Sequence, residues 1–387
     1  MLQGLVKQKL ALVGAECEFI YFVNKSLLLA YFKLNLRAMR SQRERPLNEE
    51  FDMRINRNLG MDLVRCTEAA ALRAARLMGR GDKEGADQAA VDAMRFALSS
   101  IDMDGVVVIG EGEKDAAPML YTGERVGTGN LPAVDIAVDP VEGTTLLAEG
   151  MPGAIAVIAV AERGALHAWS GVPYMYKLAV GEAARGRVDI NASVAENIHA
   201  VAAALHRRVS EVTVVVLDRP RHRELIREIR EVGARIRLIP HGDVAAGVMT
   251  AVNDAPADML LGVGGAPEAV ITACALKCLG GEIQAKLWPI DDKERATLAA
   301  QGLSADHVYS TDELVRGEDV YFVATGITSG EFLRGVQYSD GRARTHSVVM
   351  RSTTGTVRHI ESTHRWDKLM RISGIEYVSD DENAPSV

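Results

Sequence analysis

Short apolar runs that end in glycine, proline or charged residues recur along this sequence, and several are followed by a stretch with helical periodicity. The runs that resemble buried strands lie at 106–109, 133–138, 212–217, 236–239, 259–261 and 320–323. Because strands that alternate with helices form parallel sheets, the pattern predicts an α/β protein with a largely parallel sheet in its second half. Ligands of such sheets bind beyond the carboxyl ends of the strands, so the residues after each run are candidates for function.

The second of these runs leads into the segment with the most reactive side chains. Asp139 and Glu142 follow it directly, and Thr144 and Thr145 come after a glycine. Pro140 lacks an amide donor, so we expect the strand to end at Asp139. Carboxylates and hydroxyls gathered at a strand exit suit Mg²⁺ or Mn²⁺, which take oxygen ligands and are usually shared with a substrate phosphate. A solvated turn with a helix cap is the alternative interpretation.

Two further acids are expected at the same edge of a sheet. Glu111 lies in the glycine turn that ends the run 106–109, and glycines let the backbone bend sharply there. Asp87 lies near the start of a helix predicted from its cap, Asp82, through Ser99, and projects from the apolar face. Converging carboxylates would repel each other unless a cation neutralised them. The alternative for Asp87 is a favourable interaction with the helix dipole.

The strand exits in the second half carry groups that suit a phosphate. Arg219, Arg221 and His222 follow the run 212–217. The Gly-Gly-Ala-Pro-Glu motif that ends at Glu268 places glycine amides at a helix start, which suits an anion, while its glutamate suits a metal. Solvated arginines and glycines that merely permit tight packing are the ordinary alternatives.

Several motifs recur in order and with matching spacing, and they make the sequence resemble the class II fructose-1,6-bisphosphatases of bacteria. That family belongs to the wider lithium-sensitive, metal-dependent sugar and inositol phosphatases. The motifs are Gly79-Arg80-Gly81-Asp82-Lys83, then Asp87, then Ile109-Gly110-Glu111-Gly112-Glu113-Lys114-Asp115, then Asp139-Pro140-Val141-Glu142-Gly143-Thr144. The similarity extends from about residue 57 to residue 368. It implies a layered α-β-α-β-α sandwich of the sugar phosphatase type, with two sheets and helices between and outside them.

The resemblance also implies the site residues. The residues that match metal ligands are Asp87, Glu111, Asp139, Glu142 and Glu268, for Mn²⁺ or Mg²⁺. The residues that match catalytic groups are Thr144, which would help to activate or orient the attacking water, together with Lys83 and Glu111. The residues that match the substrate pocket are Glu142, Gly143, Thr144, Tyr174, Arg219, Pro220, Arg221, His241, Gly242, Asp243 and Gly265.

Two positions depart from the family pattern. The family commonly has Asp-Gly-Asp where this chain has His241-Gly242-Asp243, and an imidazole can donate a hydrogen bond where a carboxylate cannot. Ala269 stands where a glycine often follows the Gly-Gly-Ala-Pro-Glu motif. Both departures bear on substrate preference more than on the reaction.

The function implied by the resemblance is metal-dependent hydrolysis of the 1-phosphate of fructose 1,6-bisphosphate, an activity of gluconeogenesis that yields fructose 6-phosphate. The alternatives are a sedoheptulose 1,7-bisphosphatase or dual-substrate enzyme, an inositol phosphatase, and a non-catalytic protein that senses phosphate. A nucleotide-dependent oxidoreductase is disfavoured because the glycine turns lack dinucleotide-binding spacing.

Composition limits the partners. The net charge of −8 argues against general nucleic-acid binding, which needs a basic surface. No uninterrupted apolar run approaches the roughly 20 residues of a membrane helix, and four cysteines in 387 residues do not make a disulfide framework. We therefore expect a cytoplasmic protein with a phosphorylated sugar as its substrate and no membrane or nucleic-acid partner. We also expect a homo-oligomer, either a dimer or a tetramer.

The chain is long enough for two domains. We predict an N-terminal extension at 1–52 that is poorly packed or not native, and a metal-binding α/β domain at 53–208. A substrate-binding α/β domain with a mostly parallel sheet is predicted at 209–345, and a C-terminal hairpin with a frayed tail at 346–387.

Overall fold

The computed structural model describes residues 59–112, 119–169, 171–365 and 368–369. All of them lie in one compact unit that begins at Asn56. The predicted extension at 1–52 and most of the predicted tail lie outside the described residues. The domain boundaries at 208/209 and 345/346 stay a prediction.

Helices and strands alternate along most of the described chain. The helices are α1 (Leu59–Ala74), α2 (Lys83–Leu98), α3 (Thr144–Ala148), α4 (Val194–Ala204), α5 (Arg223–Val232), α6 (Val244–Met249), α7 (Ala266–Leu279), α8 (Asp292–Ala300) and α9 (Thr311–Leu314). The strands are β1 (Asp104–Ile109), β2 (Arg125–Val126), β3 (Ala133–Glu142), β4 (Ile155–Glu162), β5 (Tyr174–Val180), β6 (Thr213–Leu217), β7 (Arg235–Ile239), β8 (Met259–Gly265), β9 (Glu282–Leu287), β10 (Tyr321–Gly326), β11 (Gln337–Ser339), β12 (Arg342–Arg351) and β13 (Thr356–Arg365). The predicted helix cap is confirmed, because the Asp82 carboxylate accepts a 2.8 Å hydrogen bond from the Gly85 amide at the start of α2.

The first sheet has eight strands within the described residues. β12 pairs with β13 along one side and with β11 and β10 along the other, and β4, β3, β1 and β2 follow. β1 and β3 pair in parallel, whereas the other neighbours are antiparallel. The antiparallel pair of β12 and β13 confirms the predicted C-terminal hairpin.

Pro140 does not end β3, contrary to the prediction, and the strand continues to Glu142. A β-bulge accommodates the missing amide donor. From Asp139 to Glu142, β3 advances by three residues, whereas its partner β4 advances by only two. Asp139 pairs with Val157 and Glu142 pairs with Ile155. Since those two partners are two residues apart on β4, they share a face, and the bulge therefore brings both carboxylates to the same face of the sheet.

The second sheet has the order β7-β6-β8-β5-β9. β6 pairs in parallel with β7 and β8, whereas β5 is antiparallel to both β8 and β9. The prediction of a largely parallel sheet thus holds only for its three strands β6, β7 and β8.

The prediction that the run 320–323 belongs to this second sheet is wrong. The run forms β10 of the first sheet, antiparallel to β4 and β12. Phe322 and Ala324 pack into the core cluster that also contains residues of α7. A short apolar run has the same pattern in either sheet, so its partner is decided by packing over long sequence distances.

The two sheets and their helices form five layers. α1 packs on one face of the first sheet, where Gly60 lies against Val349 and Tyr321. α7 lies between the sheets, since its buried residues share one core with Val157 of the first sheet and Leu260 of the second. α4 and α5 cover the far face of the second sheet through a separate core. The α-β-α-β-α sandwich implied by the resemblance is confirmed. In the described residues we find no helix that is long and apolar enough to cross a membrane.

Candidate metal centre and substrate pocket

Three carboxylates form a compact cluster where the first sheet faces α7. Oxygen atoms of Asp139, Glu142 and Glu268 all lie within 4.8 Å of one another. The β3 bulge supplies the first two, and the first turn of α7 supplies Glu268. Glu142 is buried and its Oε1 accepts a 3.1 Å hydrogen bond from the Val244 amide, which fixes its direction.

The other two predicted ligands lie beside this cluster. Asp87 on α2 and Glu111 after β1 are hydrogen-bonded to each other through their carboxyl groups. The charge of Glu111 also acts on Asp139, so the pair adjoins the cluster. The structure thus brings the five acids into one neighbourhood, while their individual roles remain a prediction.

Burial raises the pKa of all five acids, and the charge of a neighbouring carboxylate raises it further for every one of them except Asp87. The pKa of Glu111 rises to about 8 because of burial and the nearby charge of Asp87, and that of Glu268 rises to about 7 because of burial and the charge of Glu142. The pKa of Asp139 is raised well above its usual range by burial and by the charges of Glu142, Glu111 and Glu268. Replacing such buried like charges with neutral residues would stabilise the metal-free protein, so stability alone does not account for this group of acids.

A divalent cation fits the residues that are present. Within the part of the chain that the structure describes, Oε2 of Glu268 is buried and has no hydrogen-bond partner. An orphaned carboxylate oxygen beside two other carboxylates is an arrangement that a cation would satisfy. Because the donors of the cluster are all carboxylate oxygens, they suit Mg²⁺ or Mn²⁺ better than a soft metal.

We predict that the metal-free protein loses stability as the pH rises through about 7 to 8. The raised pKa values of Glu268 and Glu111 mean that the folded state binds more protons than the unfolded chain at neutral pH. The free energy of unfolding therefore falls as the pH rises. Thermal melting of chelator-treated protein should give a lower midpoint at about pH 9 than at about pH 6. Excess Mn²⁺ should remove most of this difference, and equal midpoints without metal would contradict the prediction.

The second sheet presents arginines near the same cluster. Nη2 of Arg219 lies 3.0 Å from Nδ1 of His241, so the guanidinium donates to that nitrogen and the imidazole carries its proton on Nε2. Burial, followed by the charges of Arg219 and Lys83, lowers the pKa of His241. His241 therefore presents a neutral N–H donor, and Lys83 lies close enough for its charge to act on the imidazole.

Arg221 is held by two contacts of a different kind. Its Nη2 donates to the Val263 carbonyl at 2.8 Å, and its guanidinium carbon lies 5.3 Å from the ring centroid of Tyr174. Tyr174 is the first residue of β5, next to Gly265 of β8 in the register of the sheet. Stacking and the carbonyl contact leave other guanidinium donors for an anion.

Several turns carry the remaining residues that were predicted to bind substrate. Gly143 has a φ of 90°, a left-handed conformation that suits glycine, and it directly precedes Thr144 at the start of α3. Gly242 lies against Glu142, because a Cβ at Gly242 would be 3.6 Å from its Oε1. Pro220 lies in the 3₁₀ turn between Arg219 and α5. Oγ1 of Thr144 donates to the Val141 carbonyl at 3.1 Å, so its lone pairs stay available to accept a hydrogen bond.

The suggestion that His222 binds phosphate is wrong. Its Nδ1 lies 2.7 Å from the Leu217 carbonyl, and its Nε2 accepts a 2.7 Å hydrogen bond from the Val263 amide. Both ring nitrogens are therefore committed to the backbone, and the buried imidazole joins β6 to β8.

Sequence reasoning missed Lys177. This lysine on β5 is 1% exposed and forms a 2.6 Å ion pair with Asp243, which is also buried. A lysine in the middle of an otherwise buried strand was the available signal, because a buried lysine requires a partner.

The fold and the acid-lined pocket with its arginines define a hydrolase of phosphoric monoesters. The chain belongs to the family described as bacterial fructose-1,6-bisphosphatase, glpX-encoded, which it matches over residues 57–364. It is 43% identical over 346 residues to the D-fructose 1,6-bisphosphatase class 2/sedoheptulose 1,7-bisphosphatase of Synechococcus elongatus, covering 82% of this chain and 99% of the relative. It is also 43% identical over 329 residues to fructose-1,6-bisphosphatase 1 class 2 of Escherichia coli, covering 81% of this chain and 97% of the relative. The resemblance inferred from the motifs is confirmed.

Proposed function

We propose that this chain hydrolyses the 1-phosphate of fructose 1,6-bisphosphate, giving fructose 6-phosphate and phosphate, with Mn²⁺ or Mg²⁺ as its cofactor. The observation that carries the proposal is the cluster of Asp139, Glu142 and Glu268 within 4.8 Å, in a chain that belongs to a fructose-bisphosphatase family. Asp87 and Glu111 extend the ligand set from the neighbouring helix and turn. When bound, the cation supplies positive charge beside the scissile phosphate and acidifies a nearby water.

Thr144 positions the attacking water in this mechanism. Its hydroxyl proton is committed to the Val141 carbonyl at 3.1 Å, so the oxygen can accept a hydrogen bond from the water and direct a water lone pair toward phosphorus. The protein's share of the rate enhancement is then positioning and charge complementarity, as is general for phosphoryl transfer. Lys83, at the start of α2, adds positive charge on the side where His241 lies.

The second phosphate is held by Arg219 and Arg221. Arg219 is oriented by His241, and Arg221 is oriented by Tyr174 and the Val263 carbonyl. Orienting an arginine before the substrate arrives lowers the entropy cost of binding. The remaining pocket residues contribute backbone groups or support the residues that contact the substrate. They are Glu142, Gly143, Gly242, Asp243, Pro220 and Gly265. The neutral N–H of His241 can donate to a sugar hydroxyl or a phosphate oxygen.

A dual-substrate enzyme is the second candidate. The Synechococcus elongatus relative carries sedoheptulose 1,7-bisphosphatase in its name, and the two sugars differ by one carbon unit between similar phosphates. We also propose that the protein is cytoplasmic and that it forms a homo-oligomer, either a dimer or a tetramer.

Phosphate release from fructose 1,6-bisphosphate tests the proposal directly. We expect release with Mn²⁺ or Mg²⁺ and its loss in a chelator, with a much lower rate for Glu111→Gln, because ligand charge is needed to hold the cation. Sedoheptulose 1,7-bisphosphate and an inositol monophosphate should be assayed in parallel. Binding without release would favour the phosphate-sensing alternative, and a rate that survives both metal removal and Glu111→Gln would refute the mechanism.

A further inference from the structure

Lys177 is a buried cation placed among carboxylates. It is 1% exposed and projects from the same face of β5 as Met175 and Ala179, which pack into the core shared with α7. Its Nζ lies 2.6 Å from Oδ2 of Asp243 and donates to the Gly265 carbonyl at 3.0 Å. A side chain at Gly264 would overlap both partners of this pair, so the ion pair is packed directly against β8.

The two contacts of Lys177 lead to two different members of the carboxylate cluster. Asp243 precedes Val244, whose amide donates to Glu142 at 3.1 Å. Gly265 directly precedes α7, and the first turn of that helix carries Glu268. Lys177 thus joins the starts of α6 and α7, and each start determines where one carboxylate of the cluster lies.

We propose that Lys177 is a positioning residue that holds Glu142 and Glu268 in the arrangement needed for divalent-cation binding. The proposal rests on the metal site assigned under the proposed function. Lys177 acts through Asp243, Val244 and Gly265 rather than by contact with the cation or substrate.

If Lys177 acted only through its charge, replacing it would change cation affinity in the opposite direction from the change expected if it positions the carboxylates. The ammonium is a positive charge near Glu142 and Glu268, and it lowers the pKa of both. Removing that charge alone would make the site more negative and would tighten cation binding. Loss of positioning would weaken cation binding, since residues that orient metal ligands typically contribute about 10- to 100-fold in affinity. The direction of the change therefore separates the two effects.

The experiment is a direct titration of the full, metal-free chain with Mn²⁺, read by calorimetry and by the electron paramagnetic resonance of free Mn²⁺. We expect Lys177→Met to raise the Mn²⁺ dissociation constant by about 10- to 100-fold. The double variant Lys177→Met/Asp243→Asn removes both charges of the pair, so it leaves no unpaired buried charge and keeps the net charge of the pair unchanged. It should fold more readily than the single variant and should also bind Mn²⁺ about 10-fold or more weakly.

Lys277→Met is the matched control. Lys277 lies near the end of α7, where its Nζ contacts one carboxylate, Asp312 at 2.8 Å, and one carbonyl, Val315 at 2.9 Å. The Lys277→Met variant therefore loses the same kinds of contact on the helix that carries Glu268, but at a distance from the cluster. We expect it to keep wild-type Mn²⁺ affinity. Wild-type or tighter affinity in the double variant overturns this proposal alone. A wild-type protein that binds no Mn²⁺ overturns the metal site, and this proposal with it.

Discussion

Glu268→Gln is expected to abolish most of the phosphatase activity and, at the same time, to stabilise the metal-free protein. The substitution keeps the shape of the side chain but removes one carboxylate from the cluster with Asp139 and Glu142. The loss in kcat/KM should exceed about 100-fold, because even residues that only orient metal ligands contribute about 10- to 100-fold in affinity. Above about pH 7, where Glu268 is ionised, stability should rise because the substitution removes a buried charge that Glu142 repels.

Phosphate release with saturating Mn²⁺ and thermal melting in chelator measure the two halves of this result. Glu231→Gln on α5 is the control, since that side chain is 65% exposed and its ion pair with Arg227 is long, at 3.8 Å. It should change neither quantity. A variant at Glu268 that is less stable in chelator than the wild type, with normal activity, would show that the residue has only a structural role.

Thr144→Val is expected to lower kcat by roughly 100-fold while leaving Mn²⁺ affinity near that of the wild type. Valine keeps the volume and β-branching of threonine but removes the oxygen that would accept a hydrogen bond from the attacking water. Small misplacements of a reacting group can cost about 100-fold in rate. Steady-state kinetics at several substrate concentrations, together with Mn²⁺ titration, separate the turnover step from binding.

Thr144→Ser and Thr145→Val are the controls for this prediction. Serine restores the hydroxyl and should recover most of the rate, while the neighbouring threonine tests the loss of a hydroxyl at the next position of α3. If Thr144→Val and Thr144→Ser lose activity equally, the hydroxyl is not the important feature of the side chain.

Many of the candidate site residues could be located from the sequence because they lie at the end of a strand or near the start of a helix. Glu111 follows β1, Arg219 follows β6 and Glu268 lies in the first turn of α7. Strand exits are recognisable locally from glycine, proline and charge, and the rule that ligands gather at carboxyl ends of strands needs no knowledge of strand order. This is why the acids could be grouped before their distances were known.

Strand pairing and local register could not be predicted in the same way. β10 pairs with β4, and β5 pairs with β8, across large separations in sequence. Apolar runs of this length are compatible with several partners, so tertiary packing makes the choice. The bulge at Pro140 depends on the register with β4. The partner of Lys177 depends on which strands adjoin, so the sequence can indicate that this lysine needs a partner but cannot identify Asp243.

The central position of α7 affects how cation binding is linked to unfolding. Glu268 belongs to a helix that is sandwiched between both sheets, with Ala269, Val270 and Ile271 in the main core. This proposed ligand does not belong to a loop that could fray, and displacing its backbone would disrupt the packing of the residues that follow it in the core. Cation occupancy should therefore protect the slowest-exchanging amides of α7 and both sheets together, rather than those of a local segment.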